Sequence, residues 1–343
     1  MSSAIVECER AMDLAAKVAF LKQPQTYPDH PPRVDTIETH MSWVFLTPHH
    51  AFKLKKPVRY DYLDFSTLAA RRINCDEEAR LNRRLAPGVY LGVVALTIDA
   101  QGEVQIDGQG EIADWLVKMR RLPAERMLDY LIRQQALEPA ELHGVSERLA
   151  YFYRECPALK IGGDEYRHQN ARNVRVNRDA LADPAYGLPA ALVEAVHDKQ
   201  NEFLQRAPDL FQRRAEEGRI IEGHGDLRPE HVCLESPPVI FDRLEFNRAF
   251  RIIDAADELA FLAMECERLG APQVEQELFG VYRRITGDYP PPSLVYFYKS
   301  HRACVHARLA IWHVHDAAKS AWPHWQAIAG EYLRLADSYV ARF

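Results

Sequence analysis

Apolar and polar residues follow two different patterns along the chain, and the change falls near Pro123. Between residues 34 and 122 the apolar runs are short, as in WVFLT and VYLGVVALTI, and turn residues such as DGQG separate them. Short apolar runs bounded by turns predict β-strands. Residues 66–86 differ, because a Ser-Thr start and an apolar stripe at helical spacing predict a helix, which Pro87 and Gly88 end. This half is therefore predicted to be a sheet with one helix inserted.

Beyond Pro123 the apolar residues recur every three or four positions, which is the spacing of one helix face. This pattern covers 124–217 and resumes at Asp254, from where it continues to the last residues of the sequence. A β segment interrupts it at 219–242, RIIEGHGDLRPEHVCLESPPVIFD, in which two short apolar strands flank the turn SPP. The second half is therefore predicted to be mainly helical, with one small β segment.

The first residues predict a leading amphipathic helix, because apolar side chains between Ile5 and Leu21 recur at helical spacing. Four prolines then break the pattern over 24–36, which we interpret as a linker. The predicted fold class is α+β. We expect three parts, namely an N-terminal helix at 1–25, a small antiparallel-sheet lobe at 26–122 and a larger helical lobe at 123–343.

Composition narrows the class of protein. With 343 residues, of which 47% are hydrophobic, the chain is long enough to bury a core in two domains and is not a disordered chain. A net charge of −6 argues against a nucleic-acid partner, and no apolar run reaches the roughly 18 residues of a membrane helix. The six cysteines form no CxxC pair, and the N-terminus does not resemble a signal peptide, so a cytoplasmic protein with reduced thiols is expected.

The β segment carries the pattern that points most directly to chemistry. His224-Gly225-Asp226 stands in a loop, and Asp242 ends the apolar strand that follows. Phosphoryl transfer needs a carboxylate near the attacking hydroxyl, a cation on the phosphates and acidic ligands for magnesium. A loop aspartate followed by a hairpin that ends in a second aspartate supplies two such carboxylates. The alternative is an ordinary surface turn with a capping aspartate.

HGDL followed by a strand ending in IFD resembles the superfamily of aminoglycoside phosphotransferases, choline kinases and fructosamine kinases, which has the protein-kinase-like fold. The resemblance covers nearly the whole chain and implies a bilobal arrangement. The segments THMSWVFLT, AFKLKKPV, YLDFSTLAARR, LNRRLAPGVYL, KMRRLP and VIFDRLEFN resemble a bacterial branch in which this half is often fused to a P-loop kinase. No GxxxxGK[ST] motif occurs in this sequence, so a separate P-loop kinase partner is one expectation.

The resemblance assigns roles in the loop and the hairpin. Asp226 becomes the catalytic carboxylate that orients, and in one interpretation deprotonates, the acceptor hydroxyl. Asp242 matches the magnesium-binding aspartate. His224 is expected to be a hydrogen-bonding brace of the loop rather than a base. Glu258 matches a family aspartate at the start of a helix, and Asp254 is a candidate brace for the loop.

Further resemblances concern the nucleotide. Ala51-Phe52-Lys53 fits the A-x-K strand of kinases, in which the lysine holds phosphates, although Lys55 lies on the same strand face and stays an alternative. The acidic partner of the lysine should lie on the helix at 66–86, where Glu78 is preferred over Glu77. Ser42 stands at a turn that is expected to contact the β-phosphate in place of a Gly-rich loop.

Lys118 and Met119 stand where the two patterns meet, and an extended link there would bond an adenine edge through backbone groups. The Met119 side chain would pack on the adenine ring, and the alternative is that it is an ordinary core residue.

Two positions depart from the family pattern. His231 stands where the family has an asparagine that binds the second magnesium ion, and Arg228 replaces a more common histidine. Neutral imidazole suits softer ions than magnesium, so His231 is expected either to bind a metal such as Mn²⁺ or to hydrogen-bond Asp226. Arg228 is placed with the catalytic residues.

The resemblance implies an ATP-dependent phosphotransferase that uses Mg²⁺, or Mn²⁺, and acts on a hydroxyl of a small molecule such as a sugar, an amino sugar or a nucleoside-like compound. The alternative is a nucleotide-binding pseudokinase that acts as an interaction module. A basic helix face with Arg302, His306 and Arg308, preceded by Tyr298 and Lys299, is a candidate for binding an anionic acceptor; an ion-paired structural helix is its alternative.

Overall fold

The structure of the protein, a computed structural model, describes residues 12–316 and 319–343 and divides into two compact units. The first unit contains the described residues up to Pro123 together with Ile240–Asn247. The second contains Ala124–Val239 and Arg248–Phe343. The sequence analysis placed 240–247 in the helical part. In the structure this segment belongs to the first unit, because its polar groups bond to a helix and strands of that unit.

An antiparallel sheet and one long helix make up most of the first unit. Residues 1–11 of the predicted leading helix lie outside the described residues, and of the remainder Leu14–Leu21 forms a helix. In chain order the elements are α1 (Leu14–Leu21), β1 (Asp35–Glu38), β2 (Ser42–Leu46), β3 (His50–Lys55), β4 (Arg59–Tyr60), β5 (Leu63–Asp64), α2 (Leu68–Asn82), β6 (Tyr90–Ile98), β7 (Val104–Ile106) and β8 (Glu111–Arg120). The six-stranded sheet has the order β1-β2-β3-β8-β6-β7.

Burial of apolar side chains fixes both faces of this sheet. Val18 and Leu21 of α1 join a core with Phe45, Phe52 and Leu116 from the strands. The helix α2 begins where predicted, since the Thr67 hydroxyl accepts a hydrogen bond from the Ala70 N–H at 3.1 Å and so caps it. Its buried residues include three polar ones, Arg71, Glu78 and Asn82, and buried polar side chains of this kind need partners.

The second unit is mainly helical, as the spacing of apolar residues predicted. Its helices are α3 (Leu128–Arg133), α4 (Pro139–Glu155), α5 (Gly163–Leu181), α6 (Ala190–Arg206), α7 (Pro208–Glu216), α8 (Ala255–Arg268), α9 (Val274–Thr286), α10 (Pro292–Asp316) and α11 (Trp322–Val340). Its short strands are β9 (Ile220–Glu222), β10 (Val232–Cys233) and β12 (Ile252–Asp254), with β9 antiparallel to β12. The strand β11 (Val239–Ile240) begins with the last residue before the segment that belongs to the first unit. Over the described part of the chain, every helix is too short or too polar to cross a bilayer.

The helix α8 lies at the centre of the second unit, because its residues from Ala255 to Cys266 are all buried. Phe261 and Met264 belong to a core that also receives apolar side chains of α6, α10 and α11. A helix that is buried on all sides has little freedom to shift. It can therefore hold a loop that bonds to its first turn in a fixed position.

One buried cation joins three parts of the second unit. Arg214 of α7 donates to both carboxylate oxygens of Asp254, at 2.7 and 2.5 Å, and at 2.8 Å to Asp288. All three side chains are at most 3% exposed. Asp254 also accepts from the Ala256 N–H and so caps α8. The guanidinium thus connects α7, the start of α8 and the turn after α9.

We expect Arg214→Met to lower the free energy of unfolding of this unit by about 3–5 kcal/mol, because it leaves two buried carboxylates without their cation. Thermal denaturation would measure the loss as a lower Tm. Arg213→Met, at the exposed neighbouring position, is the matched control and should change the Tm little. An unchanged Tm in Arg214→Met would show that this ion pair does not hold the unit together.

Candidate active site

Two lysines of β3 point to the same side of the sheet, because they stand two positions apart on a strand. The Lys53 ammonium donates to Glu78 Oε1 at 2.9 Å and to Asp242 Oδ1 at 2.7 Å. The Lys55 ammonium donates to Glu78 Oε2 at 2.6 Å and also to Glu245. Both lysines considered from the sequence therefore share one carboxylate, and each contacts a different acid of the segment that begins at Asp242.

The helix α2 supplies that shared carboxylate. Glu78 is fully buried, whereas the neighbouring Glu77 forms an ion pair with Arg80, one turn along the helix. The preferred residue of the two is thus the one that contacts Lys53. Its position follows from the helix period, since Cys75, Glu78 and Asn82 lie along one buried stripe.

The segment that carries Asp242 is held in an uncommon backbone conformation. Asp242 has φ of 59°, in the left-handed region that residues other than glycine seldom adopt. Its N–H donates to the Tyr90 hydroxyl at 3.1 Å, and the next N–H, of Arg243, donates to Asn82 Oδ1 at 2.8 Å. Asn82 in turn donates to the Glu78 carbonyl at 2.9 Å. These bonds tie the segment to β6 and α2.

The charges of this cluster stabilise one another. Burial by itself would lower the pKa of Lys53, but the carboxylates of Asp242 and Glu78 hold that pKa well above its ordinary value. Burial would likewise raise the pKa of Glu78, yet Lys53 and Lys55 hold it below its usual range. Burial raises the pKa of Glu245, and the nearby Glu78 adds to the effect. Both lysines and Glu78 are therefore ionised at neutral pH.

The turn predicted to contact a phosphate is closed by its own residues. Ser42 starts β2 and is buried, and its N–H donates to the Thr39 hydroxyl at 3.0 Å. The Thr39 N–H in turn donates a hydrogen bond to the Ser42 carbonyl at 2.8 Å. The tip of the turn carries His40, which stacks on Tyr60. The structure therefore places Ser42 at the buried start of β2 and not at the tip of the turn.

Lys118 and Met119 lie inside a strand rather than in an extended link. Both belong to β8, between β3 and β6: Met119 pairs with Ala51 and Tyr90, and Lys118 pairs with Phe52. Backbone groups of a central strand are used by its two neighbours. The expected backbone contact with an adenine edge therefore does not suit these positions, and the non-strand link begins after β8.

In the second unit, the loop after β9 is bonded to the buried helix α8. The Gly225 N–H donates to Glu258 Oε1 at 2.7 Å, and the Tyr153 hydroxyl donates to Glu258 Oε2 at 2.9 Å. A Cβ at position 223 would meet the same carboxylate at 2.8 Å, so only glycine fits there. Glu258 therefore braces the loop. Asp254, the candidate from the sequence, instead pairs with Arg214 and caps α8, which corrects that expectation.

His224 and Asp226 occupy the loop itself. His224 is buried, and its Nδ1 lies 3.3 Å from the Asp226 N–H, which donates to it. The Asp226 carboxylate is about one-third exposed, with Arg228 Nε 3.4 Å from Oδ1. Burial would raise the pKa of Asp226, but Arg228 and His231 outweigh it and lower the pKa to about 2. Asp226 is therefore an ionised carboxylate that faces solvent at one edge.

Both ring nitrogens of His231 face groups of the same loop. Nδ1 lies 2.7 Å from the Asp226 carbonyl oxygen, and Nε2 lies 3.4 Å from an Arg228 guanidinium nitrogen. A carbonyl only accepts and a guanidinium only donates, so the assigned tautomer carries its proton on Nδ1. This arrangement matches the second of the two expectations for His231, a hydrogen bond that holds the Asp226 residue.

The helix face predicted to bind an anionic acceptor is largely neutralised by acids. Arg302 forms two hydrogen bonds of 2.7 Å with Asp257, and Lys299 contacts Glu267 and Glu275. These two cations therefore fit the alternative interpretation of this face, a structural helix whose charges are used in ion pairs. The Tyr298 hydroxyl likewise donates to the buried Asp254.

His306, another member of that face, is enclosed by aromatic rings. Its ring packs between Phe261 and Tyr332, with ring centroids 4.8 and 5.4 Å away. Burial lowers the pKa of His306 to about 3, and Arg228 contributes in the same direction. His306 is thus neutral at physiological pH. Arg308 stacks on Trp312 instead.

Sequence reasoning missed several residues of these clusters. Glu245 is an ordinary polar position in the loop after β11, Asn82 is a polar position on a helix, and Tyr90 is a strand residue. A signal existed for Asn82, because it lies one helical turn after Glu78. No such signal existed for Glu245, whose partner is distant in sequence.

The donors of the first unit fit a magnesium ion that binds together with phosphates. Asp242 is 37% exposed and carries a hard oxygen ligand, while Glu78 is fully buried against the lysines. Magnesium in kinase sites takes one or two carboxylates and completes its shell with phosphate oxygens and water. Among the described residues, no three His, Cys, Asp or Glu side chains are grouped as a self-sufficient metal site.

Comparison with known proteins gave relatives in sequence and in fold. No protein-family model matches the chain. Uncharacterized proteins of Mycobacterium tuberculosis and Mycobacterium bovis are 31% identical to it over 287 residues, which is 81% of this chain and 55% of theirs. The chain therefore spans about half the length of the curated relatives it matches.

Among solved structures, a choline kinase from Cryptosporidium parvum aligns with a TM-score of 0.53 and 10% identity, covering 95% of this chain and 93% of that one. A choline/ethanolamine kinase family protein from Mesorhizobium loti aligns with a TM-score of 0.49 and 14% identity, over 94% and 99% of the two chains. The first alignment shows the fold. The chain therefore has the fold of that choline kinase, and the predicted α+β, protein-kinase-like fold class is confirmed.

We expect Gly223→Ala to displace the loop from α8, because the added methyl group would overlap the Glu258 carboxylate. Overpacking of this kind costs about 1–3 kcal/mol of folding free energy, measurable as a lower Tm. Gly280→Ala, inside α9, is the control, since a Cβ there would make only an ordinary contact of 3.7 Å with the Arg284 side chain, and alanine favours a helix. Equal Tm values for the two variants would contradict the tight approach of the loop to Glu258.

Proposed function

We propose, from the premise that the chain has the fold of a choline kinase, that it is an ATP-dependent phosphotransferase acting on a hydroxyl of a small molecule. The observation that carries this proposal is the triad of Lys53, Glu78 and Asp242. A buried glutamate that positions a lysine beside a half-exposed aspartate provides a cation for phosphates and a ligand for their metal ion.

The first unit is proposed to bind the nucleotide. Lys53 would contact the phosphates, and Asp242 would be a ligand of the magnesium ion that binds with them. When bound, magnesium supplies charge neutralisation at the phosphate oxygens. Glu78 keeps the Lys53 ammonium on the side of the sheet where Asp242 lies. The non-strand link after β8, and not Lys118 or Met119 themselves, is the proposed source of backbone contacts with the base.

The second unit is proposed to prepare the acceptor. The low pKa of Asp226 makes it a weak base, so its main task is to accept a hydrogen bond from the attacking hydroxyl and orient it. Glu258 and His224 fix the backbone on either side of it. His231 is proposed as a brace of the Asp226 carbonyl, and Arg228 as the cation that keeps the carboxylate ionised.

The proposed acceptor is a sugar, an amino sugar or a nucleoside-like compound. The second candidate function is a pseudokinase, which would bind nucleotide without transferring phosphate. The position of His231 supports keeping this candidate, since its two nitrogens face groups of the loop while the family has a metal-binding asparagine at that place.

We expect Asp226→Asn to lower turnover by about 10²–10⁴-fold and to leave nucleotide affinity unchanged, because its proposed partner is the acceptor. Asp242→Asn should instead weaken binding of nucleotide in the presence of magnesium. Calorimetry with ATP, GTP and ADP would measure affinity, and ADP release with a panel of hydroxyl-bearing metabolites would measure turnover. Glu77→Gln, on the outer face of α2, is the control for both.

Three outcomes separate the candidates. Absence of nucleotide binding by the unmodified chain with any divalent ion would contradict both functions. Binding without turnover across the panel would favour the pseudokinase. Identical profiles for Asp226→Asn and Asp242→Asn would show that the two carboxylates do not have the separate roles assigned here.

A further inference from the structure

We infer that Lys55 and Glu245 are positioning residues that keep Glu78 and the Asp242 segment in place while Lys53 takes a phosphate as a further partner on nucleotide binding. This inference rests on the proposed function and assigns different tasks to two lysines that the sequence could not distinguish. Neither Lys55 nor Glu245 needs to touch the nucleotide. Both act through the residues that do.

The contacts of the cluster differ between the two lysines. Glu78 offers one carboxylate oxygen to each, at 2.9 Å for Lys53 and 2.6 Å for Lys55. The Lys53 side chain is 14% exposed, whereas that of Lys55 is 1% exposed. The Lys55 ammonium also lies 4.9 Å from the centre of the Phe65 ring. Lys55 is therefore enclosed by protein, and Lys53 is the lysine with access to solvent.

Nucleotide binding makes competing demands on Lys53. Its ammonium donates at 2.7 Å to the oxygen of Asp242, the proposed metal ligand, and phosphates would require the same ammonium. Lys53 uses two of its three N–H donors on Glu78 and Asp242, which leaves the third for a phosphate. With a phosphate bound, Lys53 divides its charge among these groups and does not neutralise Glu78 by itself. A fully buried carboxylate that loses its cation is strongly destabilising. Lys55 remains on Glu78 throughout and prevents that situation.

Glu245 performs the same task at the other end of the segment. It stands three residues after Asp242, and its carboxylate accepts a hydrogen bond from the Lys55 ammonium. Asp242 keeps its uncommon backbone conformation with the help of Tyr90 and Asn82, which bond consecutive N–H groups. The Lys55–Glu245 pair fixes the next part of the chain. Asp242 can then bind a metal ion without its backbone moving.

A double substitution tests this role with the charge of the cluster conserved. Lys55→Met alone would leave Glu78 and Glu245 buried beside a single ammonium and is expected to unfold the unit. Lys55→Met with Glu245→Gln removes one cation and one anion together. Glu78, Lys53 and Asp242 then keep their direct contacts. Lys56→Met with Glu38→Gln removes a neighbouring ion pair that does not touch Glu78, and it is the matched control.

The readouts are the Kd for ATP as a function of Mg²⁺ concentration and the Tm without nucleotide. We expect the double variant to fold and to bind Mg²⁺–ATP about 10–100-fold more weakly, with a higher Mg²⁺ requirement, as when other residues that support a metal ligand are changed. The control should bind as the unmodified chain does. Glu245→Asp, which keeps the charge but shortens the side chain, should show a smaller weakening in the same direction.

An unchanged Kd and Mg²⁺ requirement in the folded double variant would overturn the inference, because a merely structural pair can be replaced without affecting the metal. If the double variant fails to fold, Glu245→Asp decides, and a Kd equal to that of the unmodified chain overturns the inference. Failure of the proposed function is distinguishable from both results, since the unmodified chain would then bind no nucleotide.

Discussion

A buried carboxylate needs cations, and Glu78 has two. The geometry of the first unit depends on this requirement, because both ammoniums that neutralise Glu78 come from one strand. Each of them also forms an ion pair with a second acid, Lys53 with Asp242 and Lys55 with Glu245. The attraction between buried opposite charges is strong only where the partners are close and their remaining hydrogen bonds are made. Helix α2, strand β3 and the Asp242 segment are therefore fixed with respect to one another.

In the second unit another buried glutamate has a comparable task, in which hydrogen-bond donors hold its carboxylate. Glu258 uses a backbone N–H of the loop and a tyrosine hydroxyl as donors, so its charge is met by hydrogen bonds. The bond ties the loop to a helix that is buried on all sides. Asp226 thereby keeps its position although its own carboxylate reaches solvent. A rigid support beneath a half-exposed functional group is what orientation of a substrate requires.

Much of this was predictable from local patterns. The strand and helix spacing located β3, α2 and the helical second unit, and the motif around Asp226 predicted a loop held by its own histidine. The helix spacing left both Glu77 and Glu78 as candidates, and the structure distinguishes them, because Glu78 is buried on α2 and Glu77 pairs with Arg80. Lys118 and Met119 show the limit of such reasoning: an apolar run predicts a strand, but it does not tell that the strand lies at the centre of a sheet, where its backbone groups are already used.

The sequence by itself determined the element types, the acidic and basic residues available for chemistry and the family that they resemble, because these depend on spacing within short segments. Only the tertiary structure decided which charges meet. Lys53 and Lys55 are equivalent by strand period, and they differ because Asp242 reaches one and Glu245 the other. Asp254 and Glu258 open the same helix, and only the fold pairs the first with Arg214 and the second with the loop. Such pairings join residues far apart in the chain, and the free energy of burying a charge selects them only once the chain has packed.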